Sequence, residues 1–464
     1  MIKGEGRFQW PDYLVFTLSL LISAAIGIYY HLRSRSSTDE YLMGSRNMGI
    51  LPVAASLVVT GISAIAVLGV PAETYAYGVQ IALFNVGLTM AMVIACIFFM
   101  PVYHRLKITS LYEYLEMRFD HRVRTLCSVL ALIQMILYSS VALYAPAIAI
   151  SAVTGMPYWA CILISSVLVT FYTTLGGYKT VLWTDTVQAS IMFLGLVATF
   201  GKGLVDAGGW NRVMNISTLG GRMDMGTTEF DPFARHNMWA FIFGDLPFCL
   251  SLYGVGQFAV QRFCSIRNIN KARISLFIVA PVVAVFSLLS MTTGFIAFAF
   301  YYGCDPLYSG KIETRDQTLP VLVMDVFHAA PGMAGLFLSS VLSAALSTLS
   351  SVQNSFAAVL LEDGVKPLAI RATGRPLSDR GGTIFSKIIV FTIGAIILGL
   401  AMGAANMGKL LFQMSATFIA LGSGPSLGCF CLGLFIPFAN SIGALAGCLF
   451  GVSLLAWISF GALG

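Results

Sequence analysis

Apolar residues run along this chain in twelve stretches of membrane-spanning length, separated by short polar or charged connections. They cover 12–31, 50–77, 79–101, 123–153, 159–175, 187–206, 237–258, 274–302, 334–361, 383–404, 408–435 and 439–461. About 20 apolar residues suffice to cross the hydrocarbon layer as a helix. The pattern therefore predicts an all-α polytopic membrane protein with about twelve spans in a single transmembrane domain, 1–464. The first run, 13–30, is followed by HLRSRSSTDEY. That flank is basic and lacks a small-residue cleavage site, so the run reads as a membrane helix rather than a removable signal.

Two stretches are interrupted. Residues 50–78, ILPVAASLVVTGISAIAVLGVPAETYAYG, break near Thr60, Gly61 and Ser63. Residues 237–258, NMWAFIFGDLPFCLSLYGVGQF, break at Gly244, Asp245, Pro247, Gly254 and Gly256. Five hydrophobic segments separate the two starts. A pair of interrupted helices in corresponding places of two halves points to a secondary transporter with its site at the bilayer midplane. Lipid cannot satisfy broken backbone at that depth, so it must line a cavity or hold an ion.

Composition agrees. The 464 residues are 57% hydrophobic and only 10% charged, against about 25% charged in soluble domains. The net charge of +6 comes from 27 basic and 21 acidic residues placed mostly between spans, and it gives no reason to expect nucleic acid. With the N-terminus outside, eighteen of the 27 basic residues fall in inside loops, among them Arg35, Arg124, Arg262 and Lys387. That bias orients the chain. It also puts the triplet Asn215-Ile216-Ser217, a glycosylation acceptor, in an outside loop, 207–236. The nine cysteines contain no CxxC pair, and most lie in apolar runs where the thiol acts as a small hydrophobe. They predict neither a metal site nor a disulfide framework. Cys304 alone is expected in an outside loop.

The candidate chemistry is ionic. Carbonyls freed at Val59–Ser63 are hard oxygen ligands for a small cation. The run SSVLSAALSTLSSVQNS supplies facing hydroxyls, and Ser347, Ser350 and Ser351 share one helix face at i, i+3, i+4. The alternative is that these hydroxyls only glue helices together. Asp185 begins a span, where a carboxylate is a functional hypothesis by default; it could equally cap its helix with Thr184. Asp245 fits a cation or substrate site or a solvated vestibule. Glu73 and Asp120 read as interfacial, and Tyr138, Tyr144 and Pro146 as packing or cavity lining. Gly424–Gly428 matches G-x-S-x-G but lies within a membrane helix, and all five histidines fall in loops or at span edges. No phosphate-binding G-x-x-x-x-G-K-[ST] or H-E-x-x-H motif occurs. Neither an enzyme nor an ATP-driven pump is expected.

The chain resembles the sodium:solute symporter family. The likeness runs through ASLVVTGISAIAVLGVPAETYAYG, ITSLYEYLEMRFDHRVR, QMILYSSVALYAPAIAI, TLGGYKTVLWTDTVQ, SLYGVGQFAVQRF, LSTLSSVQNSFAAVLLED and IPFANSIGALAG. It covers residues 12–461, and the branch holding sodium-coupled monocarboxylate, multivitamin and iodide transporters is most similar. The resemblance implies a LeuT-type fold of two inverted five-helix repeats, 50–206 and 237–435, with a leading helix 12–31 and a trailing helix 439–461. Relatives of this branch usually have one further helix. The resemblance implies no cofactor and sodium as the coupling ion. Sodium would sit on the carbonyls of Val59, Ile62 and Ala344 and the hydroxyls of Ser347 and Thr348. A second cation would involve Asp185, Gln188, Ser350 and Ser351. A small organic anion, a monocarboxylate or a vitamin, would bind near Thr60, Gly61, Ser63, Gln134, Tyr138, Gly256 and Phe418, with iodide or a neutral solute as alternatives. A channel or sensor on the same scaffold is the different-class alternative. The expected location is the plasma membrane. Three positions depart from the branch: Ala76 stands where it has arginine, Gly256 where it has asparagine, and Asp245 where it is mostly uncharged.

Overall fold

The computed structural model describes residues 8–33, 37–226, 238–404 and 411–461. Arg35, His236, Asn237 and the start of the 408–435 stretch lie outside them. Among the described residues every regular element is helical. Among these residues nine helices are long and apolar enough to cross a membrane, or up to eleven if each of two sharply bent pairs is one span.

The leading helix α1 (Trp10–Arg33) is followed by a short α2 (Thr38–Met43). Then come the two halves of the first interrupted stretch, α3 (Ile50–Gly61) and α4 (Ala64–Tyr77). α5 (Phe84–Ile94) forms the middle of the span Val79–Leu106. α6 is His121–Thr154 and α7 is Tyr158–Asp206. At 49 residues α7 is about 74 Å long at 1.5 Å per residue, far more than one crossing of a layer about 30 Å thick. It breaks at Gly177, whose φ of 60° and ψ of −155° divide it where the sequence pattern separates 159–175 from 187–206. A side chain there would strike Tyr41 of α2, so glycine provides both the left-handed φ and the close approach.

A short helix α8 (Trp210–Leu219) stands where the sequence suggested an unstructured outside loop. Asn215 is exposed on it, while Ser217 is buried. The second interrupted stretch begins with a π-turn at Phe241–Asp245 and continues as α9 (Leu246–Tyr253). Pro247 falls in the first turn of α9, where its missing N–H costs nothing. After a break at 254–256 comes α10 (Gln257–Cys264), and the two parts differ in direction by 51°. The remaining long helices are α11 (Ile269–Phe300), α12 (Met333–Leu360), α13 (Asp379–Ala404), α14 (Leu411–Phe435) and α15 (Ser441–Gly461).

The Ser-rich α12 is the axis of the bundle. Nearly every residue from Phe337 to Val359 is buried, so it has no lipid-facing side. It packs most extensively on α7 and also touches α1, α3, α4, α6 and α13. α1 is docked at its N-terminal end by Asp12, whose Oδ1 accepts from the backbone N–H groups of Gly332 (2.9 Å) and Gly335 (3.0 Å).

Candidate functional site

Both breaks meet at the centre. In α3 the Ile62 N–H still reaches the Val58 carbonyl at 3.0 Å. Ile62 itself has left helical geometry (φ −106°, ψ 81°), and Ser63 is extended before α4 restarts. Tyr253, the last residue of α9, presses its hydroxyl onto Gly61, and a Cβ at position 61 would collide with it. Gly256 N-caps α10, with the Leu252 carbonyl in the space a side chain would need. Gln257 ties this second break to the connection before α6, donating to Thr109 O (2.7 Å) and accepting from Leu111 N (2.8 Å).

Beside the first break, oxygens from α3 and α12 converge. Ser347 Oγ donates to Val59 O (3.3 Å) and Ala344 O (3.1 Å), and Thr348 Oγ1 donates to Ala344 O (3.0 Å). Ser347 and Thr348 are 0% and 1% exposed. Val59, Ala344, Ser347 and Thr348 are thus in contact, and Ile62 lies in the break three residues beyond Val59. These are carbonyl and hydroxyl oxygens, the ligand type a small hard cation prefers.

About one turn further in lies a feature the sequence reading misplaced. Arg262, assigned to an inside loop, is 1% exposed inside the bundle on α10. Its Nε donates to Ser56 Oγ (2.7 Å) and its Nη1 to Phe258 O (2.9 Å). Its Nη2 donates to Thr60 Oγ1 (2.9 Å), Asp185 Oδ2 (3.1 Å) and Ser351 Oγ. Ser56 and Thr60 lie one turn apart on α3 and so present both hydroxyls to one group. Ser56 also donates to Asp185, and Thr60 Oγ1 and Ser351 Oγ are 3.1 Å apart. Asp185 caps no helix: it lies within the second half of α7 and pairs with Arg262. Arg262 read as a loop charge because basic residues follow it closely. The signal for burial was its place in the amphipathic octet QFAVQRFC. Ser350 Oγ donates to Ser347 O (3.1 Å), while Gln188 Nε2 donates to Ser23 of α1 (3.3 Å).

Two cavities adjoin the breaks. One of about 100 Å³ is lined by Gly61, Ser63, Phe84, Tyr138, Phe248, Tyr253, Phe286, Phe412 and Ser415, among others. Another of about 50 Å³ is lined by Thr60, Gly61, Gln134, Tyr138, Tyr253, Gly256, Thr348 and Ser423, among others. No charged side chain lines either. α14 turns Phe412, Ser415 and Ile419 to the larger cavity; Phe418 is half-buried against the core and lines neither. α14 is apolar on all sides, so no stripe in its sequence marked the inward face. Asp245 opens instead on a separate recess that shares Phe84, Phe248 and Phe412 with the central cavity. Glu73 is 1% exposed, inside the bundle rather than at the interface. Asp120 does sit at a helix end, capping α6 through Arg122 N (2.9 Å) and Val123 N (3.0 Å). Those two N–H groups hold its carboxyl below the ordinary value.

A helical membrane bundle whose two fractured helices enclose an uncharged cavity beside a cluster of hard oxygens is built to carry a solute with an ion, and not to catalyse a reaction. The chain belongs to the sodium:solute symporter family, whose model matches residues 41–451. It is 39% identical to the human sodium-coupled monocarboxylate transporter 1, over 99% of this chain and 75% of that one. It is 38% identical to a Drosophila melanogaster putative sodium-dependent multivitamin transporter, over 97% and 75% of the two chains. It is 38% identical to the human sodium/iodide cotransporter, over 97% and 70%. A solved Na+-coupled sialic acid symporter shares the fold, with a TM-score of 0.88 at 22% identity, covering 98% of this chain and 93% of that one. Sodium is therefore the coupling ion, with no enzymatic cofactor.

Proposed function

We propose that this protein imports a small organic anion, most simply a short monocarboxylate, across the plasma membrane together with sodium. The N-terminus lies outside, and the chain crosses twelve times as a leading helix, two inverted repeats (50–206 and 237–435) of the LeuT type, and a trailing helix. Asn215, exposed on α8, is the glycosylated position. The observation that carries the reading is the contact of Ser347 of α12 with the Val59 carbonyl at the break of α3, beside the Ala344 carbonyl of α12 to which Ser347 and Thr348 both donate. Sodium accepts these oxygens together with Ile62 O, and its charge fixes the gap between α3 and α12.

The cavity supports the substrate class. The central cavity is small, about 100 Å³. A short carboxylate fits; a vitamin needs Tyr138 and Tyr253 to move. The site has no cationic side chain, so the carboxylate relies on hydroxyls, on the N-terminal amides of α4 and α10, and on the sodium itself. That dependence is the coupling: the anion binds well only when the cation is present, and the effect is reciprocal. A second cation at Asp185, Gln188, Ser350 and Ser351 must displace the Arg262 guanidinium, which otherwise holds α3, α7, α10 and α12 together at the inner side. Asp245 favours a second reading, a neutral or amine-bearing solute, because its carboxylate lines a recess next to the cavity.

Each sodium ion gains about 2.3 kcal/mol per 100 mV, and a tenfold gradient adds about 1.4 kcal/mol. The test is radiotracer uptake of short monocarboxylates, biotin, pantothenate, iodide and a neutral amino acid in expressing cells, with choline replacing sodium. Monocarboxylate uptake that collapses in choline supports the reading. Uptake indifferent to sodium, or confined to the neutral solute, overturns it.

A further inference from the structure

Three cysteines that share no motif converge in space. Cys127 of α6, Cys429 of α14 and Cys448 of α15 bring their sulfurs within 4.8 Å of one another. All three are buried, at 0%, 1% and 2% exposure. Cys127 lies six residues after the start of α6, Cys429 six before the end of α14 and Cys448 seven after the start of α15. At 1.5 Å per residue, each sits about 10 Å in from the same end of the bundle. The trio is also where the trailing helix docks. Cys448 and Ala444, one turn apart, are the buried hydrophobic residues of α15, and Cys429 directs its thiol at the Ala444 carbonyl (3.6 Å). Small hydrophobes would fill this contact equally well as alanine, and packing alone gives no reason for three of nine cysteines to meet.

We propose that this trio is a binding site for a soft monovalent d10 cation, copper(I). Metal–sulfur bonds near 2.3 Å in a trigonal plane put the sulfurs about 4 Å apart, compatible with sulfurs that already lie within 4.8 Å of one another. Thiolate ligands select copper(I) or zinc. Among the described residues no histidine or carboxylate joins the group, so zinc lacks the fourth ligand of its usual tetrahedron. Each thiol that ligates as a thiolate releases its proton to water, and the monovalent cation offsets one of the negative charges left behind. The ion would rivet α15 to α6 and α14, two helices that flank the transport cavity, so its binding should slow any transport cycle that slides them past each other.

The test is anaerobic titration of the purified full-length chain with copper(I), in competition with a chromophoric chelator. The wild type is expected to take one equivalent from the chelator and to melt at a higher temperature with copper than without. Cys448→Ser, a change on the peripheral helix, should lose that equivalent and the thermal shift. Cys431→Ser, outside the trio on the same α14, should keep both. If Cys448→Ser does not fold, Cys429→Ala serves in its place. Equal copper uptake by wild type and trio variants, or none by the wild type, overturns the proposal, as does a count of seven free thiols instead of nine in the metal-free protein, which would mean a disulfide.

Discussion

A guanidinium as buried as Arg262 has five N–H donors to satisfy, and the chain meets them with hydroxyls and a carboxylate drawn from three other helices. Desolvating such a pair cancels much of its attraction, so its net contribution to stability is small. Removing one partner is another matter, because the other charge is left buried. Arg262→Ala is expected to cost about 3–5 kcal/mol and to lower the melting temperature in detergent sharply. Pairing Arg262→Met with Asp185→Leu should restore most of that stability while leaving uptake impaired. Full recovery of uptake in the double variant would show that the pair serves packing alone.

At the scale of elements, the fractures themselves were legible. Gly61 and Ser63, and Gly254 and Gly256, interrupt apolar runs that would otherwise continue, and both helices break there. The facing hydroxyls of α12 were legible from i, i+3, i+4 spacing. What stayed hidden depends on tertiary contacts. Arg262 looked like a loop charge until α10 folded inward, Phe412 went unnoticed as a cavity residue because α14 shows no polar stripe, and Cys127 lies some three hundred residues from its two partners. The contact between the fractures makes its own prediction. Gly61→Ala puts a methyl group where the Tyr253 hydroxyl sits, and uptake should fall severely. Adding Tyr253→Phe removes that hydroxyl and should recover part of it. A second element-level contact answers to pH. Asp316, in the connection before α12, accepts from Leu411 N at 3.2 Å and so holds the start of α14. Burial, with Glu73 nearby as a minor cause, pushes its carboxyl up to about 7. The folded chain therefore holds this proton more tightly than the unfolded chain, and stability falls as pH rises from about 4 to about 7. Asp316→Asn, which keeps an acceptor for Leu411, should melt above the wild type at pH 8, with the gap closing by pH 4. A constant gap across that range would contradict this.

The molecule as a whole is a polar axis inside an apolar jacket. α12 contributes hydroxyls along its length, α3 and α4 part beside it, and α9 and α10 part against them. The helices are cross-linked by Arg262, and also by Lys179 with Glu40 (2.6 Å) and by Arg124 with Asp363 and Glu116. The larger cavity lies beside α4, α5 and α14. In the proposed function sodium and substrate bind where these halves meet, so occupancy would bias which side is sealed, by no more than its differential affinity for the two states. The central claim is that carbonyls at a fractured helix and two hydroxyls of α12 grip sodium. Binding of radioactive 22Na+ to the purified protein tests it most directly, comparing the wild type with Ser347→Ala/Thr348→Ala. The account predicts saturable binding that the double variant loses while still folding as a monodisperse protein. Undiminished 22Na+ binding in that variant would contradict it.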